Sequence, residues 1–119
     1  MKSRLFVSLG LLIFLAPGLA PAQTKGDTNA GKAKYDAICA GCHGAAGKGD
    51  GAAAAILNPK PGDISDGKAM QALSDMYLFD LIKNGGASQK KSPIMPANGK
   101  KLNDQQISDI IAYIRTLAK

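Results

Sequence analysis

Cys39, Cys42 and His43 fall within the run Cys39-Ala40-Gly41-Cys42-His43, and they are the only two cysteines and the only histidine in the 119-residue chain. Two thiols spaced by two residues and followed at once by an imidazole admit three chemistries. A thiol redox pair wants a strand leading into a helix, and no strand-like run precedes Cys39. A structural zinc site wants four Cys or His ligands, one more than the chain possesses. Covalent haem attachment fits both the spacing and the order. The two thiols reach the two vinyl groups of one porphyrin while the adjacent imidazole turns beneath the iron, and small Ala40 and Gly41 let the backbone lie close to the ring. The cofactor expected is therefore one covalently bound haem c with its iron. Cys39 and Cys42 supply the thioethers, and His43 is the proximal axial ligand.

Such an iron needs a sixth ligand or keeps an open position, and the soft donors within the chain are Met70, Met76 and Met95. Met70 and Met76 lie in stretches with helical patterning, where a methionine usually fills gaps in a core. Met95 lies in Ser92-Pro-Ile-Met-Pro-Ala-Asn-Gly99, where two prolines fix an extended loop and hold the thioether with little chain entropy left to lose. Met95 is the expected distal axial ligand, and a bis-histidine site is excluded by the single histidine. His plus Met raises the reduction potential and leaves no vacancy for substrate, which points to one-electron transfer by a protein that is not itself an enzyme.

The elements that must position these residues begin after residue 22. Lys2 and Arg4 precede the apolar run Leu5–Ala16, and Ala20-Pro21-Ala22 supplies the small-x-small pattern of a cleavage site, so 1–22 reads as a cleaved secretory signal peptide. The run is too short to serve comfortably as a membrane anchor, and nothing later is apolar for long enough to span. Residues 23–30 read as a flexible lead and 31–119 as a single domain, exported to the periplasm. With no Trp and only six other aromatic residues in the whole chain, three of them Phe and three Tyr, a domain this small has little to build a core from. A large flat cofactor would make up the deficit.

The last helix is the most legible element: Asn103 caps it, Gln106 stands at the reciprocal position, and Ile107, Ile110, Ile111, Ile114 and Leu117 form one apolar stripe. Asp27 or Thr28 can cap a first helix with Gly31, Tyr35 and Ile38 at helical spacing. Ser74 or Asp75 can cap another, bearing Tyr77, Leu78, Leu81 and Ile82 and stopped by Asn84-Gly85-Gly86 in a left-handed turn. A shorter turn is expected from Asp66 to Leu73. No strand-period alternation occurs, so the fold is expected to be all-α, three to four helices with long loops around one haem.

In order along the chain stand Gly31-Lys-Ala-Lys-Tyr35, Cys39 to Gly44, Gly47-Lys-Gly-Asp-Gly51, Pro59-Lys-Pro61, Asn84-Gly85, Pro93-Ile-Met-Pro96 and Tyr113-Ile-Arg115. Taken together, from Gly31 to Leu117, they resemble the class I c-type cytochromes, the small monohaem cytochrome c family. The resemblance implies a cytochrome c-like fold, makes the Met95 segment similar to that family's methionine loop, and implies that Gly31 lets the first and last helices cross in close contact. Asp50-Gly51-Ala52 departs from the pattern, since relatives commonly carry Gly-Pro there, near the carbonyl that orients the ligand imidazole. A backbone acceptor needs no proline, so Ala52 remains a candidate for that role.

The chain carries 15 Lys plus Arg against nine acidic residues. Loss of Lys2 and Arg4 with the leader leaves a mature net charge near +4. The lysines are scattered, without an arginine-rich block or interleaved aromatics, so nucleic acid is not the expected partner. Lys48, Lys60, Lys90, Lys91, Lys100 and Lys101 flank the two ligand loops, which favours a redox protein partner with an acidic docking surface. The reading is a periplasmic one-electron carrier, a monomer or a subunit of a periplasmic complex. The rival functions are a haem subunit of a larger periplasmic oxidoreductase and a haem sensor or enzyme with an open sixth position.

Overall fold

The computed structural model describes Gly18 and residues 24–119. The leader expected over 1–22 lies, apart from Gly18, outside the described residues. Among the described residues there are five α-helices and no strand: α1 (Thr28–Ile38), α2 (Ala40–His43), α3 (Gly67–Gln71), α4 (Asp75–Asn84) and α5 (Asp104–Leu117). The three longer ones, α1, α4 and α5, are those the apolar periodicity marked. α2 and α3 are single turns of four and five residues, too short for any period to register.

Helix α5 forms as its cap dictates. The Asn103 side chain accepts from the Gln106 N–H at 2.8 Å while the Gln106 side chain accepts from the Asn103 N–H at 3.0 Å, so two backbone donors that the helix leaves free are satisfied reciprocally. Its stripe Ile107, Ile110, Ile111 and Ile114 is buried, and Leu117 packs on the edge of the same cluster. Each fully buried isoleucine contributes about 1.5–3 kcal/mol of apolar transfer energy.

Helix α1 crosses α5 where neither has a side chain in the way. A Cβ on Gly31 would run into the Asp109 carbonyl and come within 3.0 Å of the Ile110 nitrogen. Beside the crossing, the Tyr35 and Tyr113 rings meet edge to face, with centroids 5.2 Å apart and planes at 60°. Ile38, placed on the same apolar spacing, is instead 36% exposed at the end of the helix.

A flexible lead is expected over 23–30, and of its described residues those from Lys25 onward are held against α5. Gln105 Nε2 donates to the Lys25 carbonyl at 3.4 Å, the Asp27 N–H donates to the buried Asp109 carboxylate at 2.8 Å, and Gly26 backs onto the Ser108 carbonyl. From Lys25 onward the segment is thus fastened to α5, and Thr28–Ala30 form the first turn of α1, capped by Asp27. The fastening depends on a carboxylate 82 residues away, which local capping signals do not reveal.

Ser74 caps α4, its hydroxyl accepting from the Tyr77 N–H, and Leu78 and Ile82 face the core. Asp66 caps α3 in the same way. The Arg115 guanidinium then ties α3 and α4 to the last helix, donating to the Met70 and Leu73 carbonyls at 2.5 and 2.6 Å and pairing with Asp75 at 2.6 Å. The result is a frame of three helices held at α5, with residues 44–66 and 85–103 left as loops and short turns.

Candidate haem-binding site

Cys39 follows α1 without a break, its N–H bonded to the Tyr35 carbonyl at 2.8 Å, and then caps α2. The His43 N–H reaches back to the Cys39 carbonyl at 2.9 Å and the Cys42 N–H at 3.2 Å. This single turn sets the three residues at i, i+3 and i+4, so they share one helical face.

Gly44 ends the turn at φ 81°, ψ 156°, a region almost closed to residues with a side chain. A Cβ there would strike the Asp50 carboxylate. The chain then doubles back on the motif: the Gly49 N–H bonds the His43 carbonyl at 2.8 Å and the Gly51 N–H bonds the Cys42 carbonyl at 3.1 Å. Gly47 and Gly49 make this return at φ 77° and 74°. From the other side the buried Tyr35 hydroxyl donates to the Gly44 carbonyl at 2.7 Å, linking the helix crossing to the end of the motif.

Both thiols are free and half-buried. Burial, with a smaller push from Cys42, raises the Cys39 thiol to about 11, so it is protonated at neutral pH. A redox dithiol needs the opposite, a thiol lowered toward neutrality.

His43 Nδ1 is fully buried without a hydrogen-bond partner. Burial pushes the imidazole below its ordinary value, and the Gly62 carbonyl raises it partway back. The neutral imidazole favoured in this way is the form that binds a metal. The carbonyl bearing on the ring is that of Gly62 and not that of Ala52. Ala52 opens a 3₁₀ turn, Ala52–Ile56. A carbonyl beside the ring is the kind of neighbour a ligating histidine uses to fix its orientation.

Met70 is a core residue of α3 at 2% exposure and Met76 stands on the outside of α4 at 72%. Met95 is half-buried in a non-helical loop and packs on the same apolar cluster as Cys39. Backbone bonds fix this loop against α4: the Gly86 N–H to the Met95 carbonyl at 3.0 Å, the Asn98 N–H to Ile82 at 3.0 Å and the Gly99 N–H to Lys83 at 2.9 Å. Gly85, expected as a left-handed stop, has positive φ but sits at φ 83°, ψ 171°, which is extended and again nearly exclusive to glycine. Gly86 has no such torsion requirement; a Cβ on it would collide with the Ser92 carbonyl. Sequence reasoning passed over Gly62, and it assigned no role to Asn98, which is 6% exposed with its amide nitrogen on the Pro96 carbonyl at 3.1 Å.

Two thiols and an adjacent imidazole on one helical turn suit a covalently attached haem. Residues 28–118 match the family model described as cytochrome c. The chain belongs to the cytochrome c family. Covalently bound haem c with iron, and electron transport, come with that membership. This cytochrome is 34% identical over 94 residues to cytochrome c-554(547) of Halothiobacillus neapolitanus, covering 77% of this chain and 98% of the relative. It is 32% identical over 120 residues to cytochrome c6 of Rippkaea orientalis, covering 100% and 96%. It is also 35% identical over 89 residues to the cbb3-type cytochrome c oxidase subunit CcoP of Rubrivivax gelatinosus, covering 75% of this chain and 25% of the subunit. The fold is similar to that of the c-type cytochrome KustC0563, with TM-score 0.59 at 20% identity over 75% of this chain and 98% of that one. It is similar too to a chain of the Kuenenia stuttgartiensis reducing HAO-like protein complex, with TM-score 0.64 at 26% identity over 86% and 48%.

The charges of this cytochrome are used asymmetrically. Among the described residues, Asp36, Asp75 and Asp104 pair with Lys32, Arg115 and Lys83. Asp27, Asp63, Asp66, Asp80 and Asp109 accept hydrogen bonds from the chain itself. Lys48, Lys60, Lys90, Lys91, Lys100 and Lys101 are all exposed, and none takes part in an ion pair among the described residues.

Proposed function

We propose that this cytochrome is a one-electron carrier of a periplasmic chain, exported by a cleaved leader over residues 1–22 and without catalytic activity of its own. Cys39 and Cys42 hold the haem through thioethers, and His43 and Met95 are the proximal and distal axial ligands of its iron. The iron supplies a single reversible oxidation step. The chain supplies a neutral, buried imidazole, a pre-shaped methionine loop and a surface for partners. The observation that carries the reading is the single turn that sets Cys39, Cys42 and His43 at i, i+3 and i+4 on one face, so that both thiols and the imidazole address one side of the motif, as a covalently attached haem requires.

The test is an optical spectrum of the matured protein, oxidised and reduced, with and without carbon monoxide, beside Met95→Ala. Low-spin bands indifferent to carbon monoxide, with a thioether-to-iron band lost in the variant, are expected. A high-spin haem that binds the gas would refute His/Met ligation and favour a sensor or enzyme. The unpaired lysines support docking to an acidic redox partner. Transfer rates should fall as salt rises from about 0.01 to 0.15 M, over which the screening length shrinks from about 30 to 8 Å. A flat salt profile would sink the docking.

A second reading, a haem subunit of a larger oxidoreductase, is favoured by the similarity to CcoP and to a chain of the HAO-like complex. Co-purification with a stable partner at high salt would select it over a mobile shuttle.

A further inference from the structure

The loop that carries Met95 is closed on itself at Gly86. The Gly86 N–H bonds the Met95 carbonyl at 3.0 Å and the Gly86 carbonyl accepts from the Lys91 N–H at 2.8 Å. Between these bonds lies the 3₁₀ turn Gly86–Gln89, followed by Lys90 at φ 55°, ψ 30°, a left-handed conformation that lysine adopts only at a cost. Backbone bonds therefore secure the base of the loop, and its outer half, with exposed Lys90 and Lys91, is held only through the short turn itself.

The Ser88 hydroxyl braces the turn from within, donating to the Gly85 carbonyl at 2.7 Å, and a side-chain link ties the turn to α4. Asp80, half-buried on α4, accepts from Asn84 Nδ2 with one carboxylate oxygen, at 2.5 Å, and from Gln89 Nε2 with the other. It is the only carboxylate between Asp75 and Asp104, a stretch carrying five lysines. Both of its oxygens are taken by these amides, and neither is in an ion pair with a lysine among the described residues.

We propose that Asp80 is a positioning residue for Met95: through Gln89 its carboxylate holds the methionine loop shut and so sets how readily the thioether leaves the iron. The inference rests on Met95 being the distal ligand. It assigns to Asp80 and Gln89 a role that requires no contact with the haem. Opening exchanges the iron–sulfur bond for a bond to an incoming nitrogen donor, with no electron moved, and an added ligand binds in proportion to the fraction of molecules whose loop is open.

The ferric holoprotein is titrated with imidazole, following the thioether-to-iron band. Losing a hydrogen bond to a half-buried charged acceptor should raise the open fraction, and with it the apparent imidazole affinity, by about tenfold in Asp80→Ala and in Gln89→Ala. The double variant should gain no more than either single one, since both remove the same link. Amide exchange at Gly86 and Lys91 should accelerate by a similar factor. Asp36→Ala, which breaks the exposed Lys32–Asp36 pair on α1, should change none of these. A wild-type band with unchanged affinity in both single variants, or with effects that add in the double variant, overturns the link between Asp80 and the loop. Absence of the band in the wild type overturns Met95 ligation instead. Should Asp80→Ala not mature, Gln89→Ala and Asp80→Asn carry the same test, the latter expected to lie between wild type and Gln89→Ala.

Discussion

Gly31→Ala isolates the α1–α5 crossing, because two effects of opposite sign act on one methyl group. In an isolated helix the change is favourable by about 1 kcal/mol. Here the new Cβ meets the Asp109 carbonyl and the Ile110 nitrogen, all backbone, so no side chain can rotate aside and the helices themselves must part. Overpacking costs typically 1–3 kcal/mol. Parting also weakens the Tyr35–Tyr113 edge contact, worth about 0.5–1.5 kcal/mol. Set against the propensity gain, the balance is a net loss of about 0.5–3.5 kcal/mol, centred near 2, and at that centre a fall of about 8–16 °C in Tm for a domain of this size. The assay is thermal unfolding of the ferric holoprotein by circular dichroism. Gln71→Ala, at an exposed position on α3 away from the crossing, serves as the control and should lie within about 0.5 kcal/mol of wild type. If Gly31→Ala is as stable as wild type, the helices do not depend on close backbone approach there and the reasoning fails.

Other expectations follow from single groups. Asn103→Ala removes one half of the capping box and should lower stability by about 1 kcal/mol, read as a denaturant midpoint shifted at constant slope. Tyr35 is held above its ordinary value of 10.0, chiefly by burial, so its neutral form contributes stability that is full below pH 10.0 and is lost as pH rises toward the folded-state value. Tyr35→Phe should flatten that alkaline loss, and an identical pH profile in the variant would contradict it. Asp63 is held below 3.8 by the Ser65 hydroxyl and N–H, and its contribution is lost as pH falls through that depressed value. Ser65→Ala should move the Asp63 carboxyl titration upward by NMR, and an unmoved midpoint would show that the hydroxyl does not hold it.

What the sequence disclosed was whatever residue type and spacing encode locally. The Cys39–His43 motif, the Asn103/Gln106 cap and the isoleucine stripe each specify their own geometry within a few residues. Gly31 was legible because a glycine inside a helix needs a reason. The acceptor beside His43 was not legible, since a carbonyl belongs to every residue and its direction is set by the path of the whole loop; that path delivers Gly62 where Ala52 had been considered. The cap of α1 at Asp27 was legible, but the fastening of residues 25–27 was hidden because its partners, Gln105 and Asp109, lie on the last helix. Ile38 had the right spacing but falls at the helix end, where no opposing surface covers it. The Asp80–Gln89 link joins a helix to a turn too short to be read from periodicity.

The Asp27–Asp109 hydrogen bond spans 82 residues, so the crossing of α1 and α5 closes nearly the whole domain in one contact. Closure entropy grows only logarithmically with length, each doubling adding about 0.6 kcal/mol. The frame should therefore accept insertions between α2 and α4 at small equilibrium cost, with the penalty falling on the rate of folding, because such distant contacts form late in the search. The middle of the chain is then free to diversify in length while its two ends stay fixed in register.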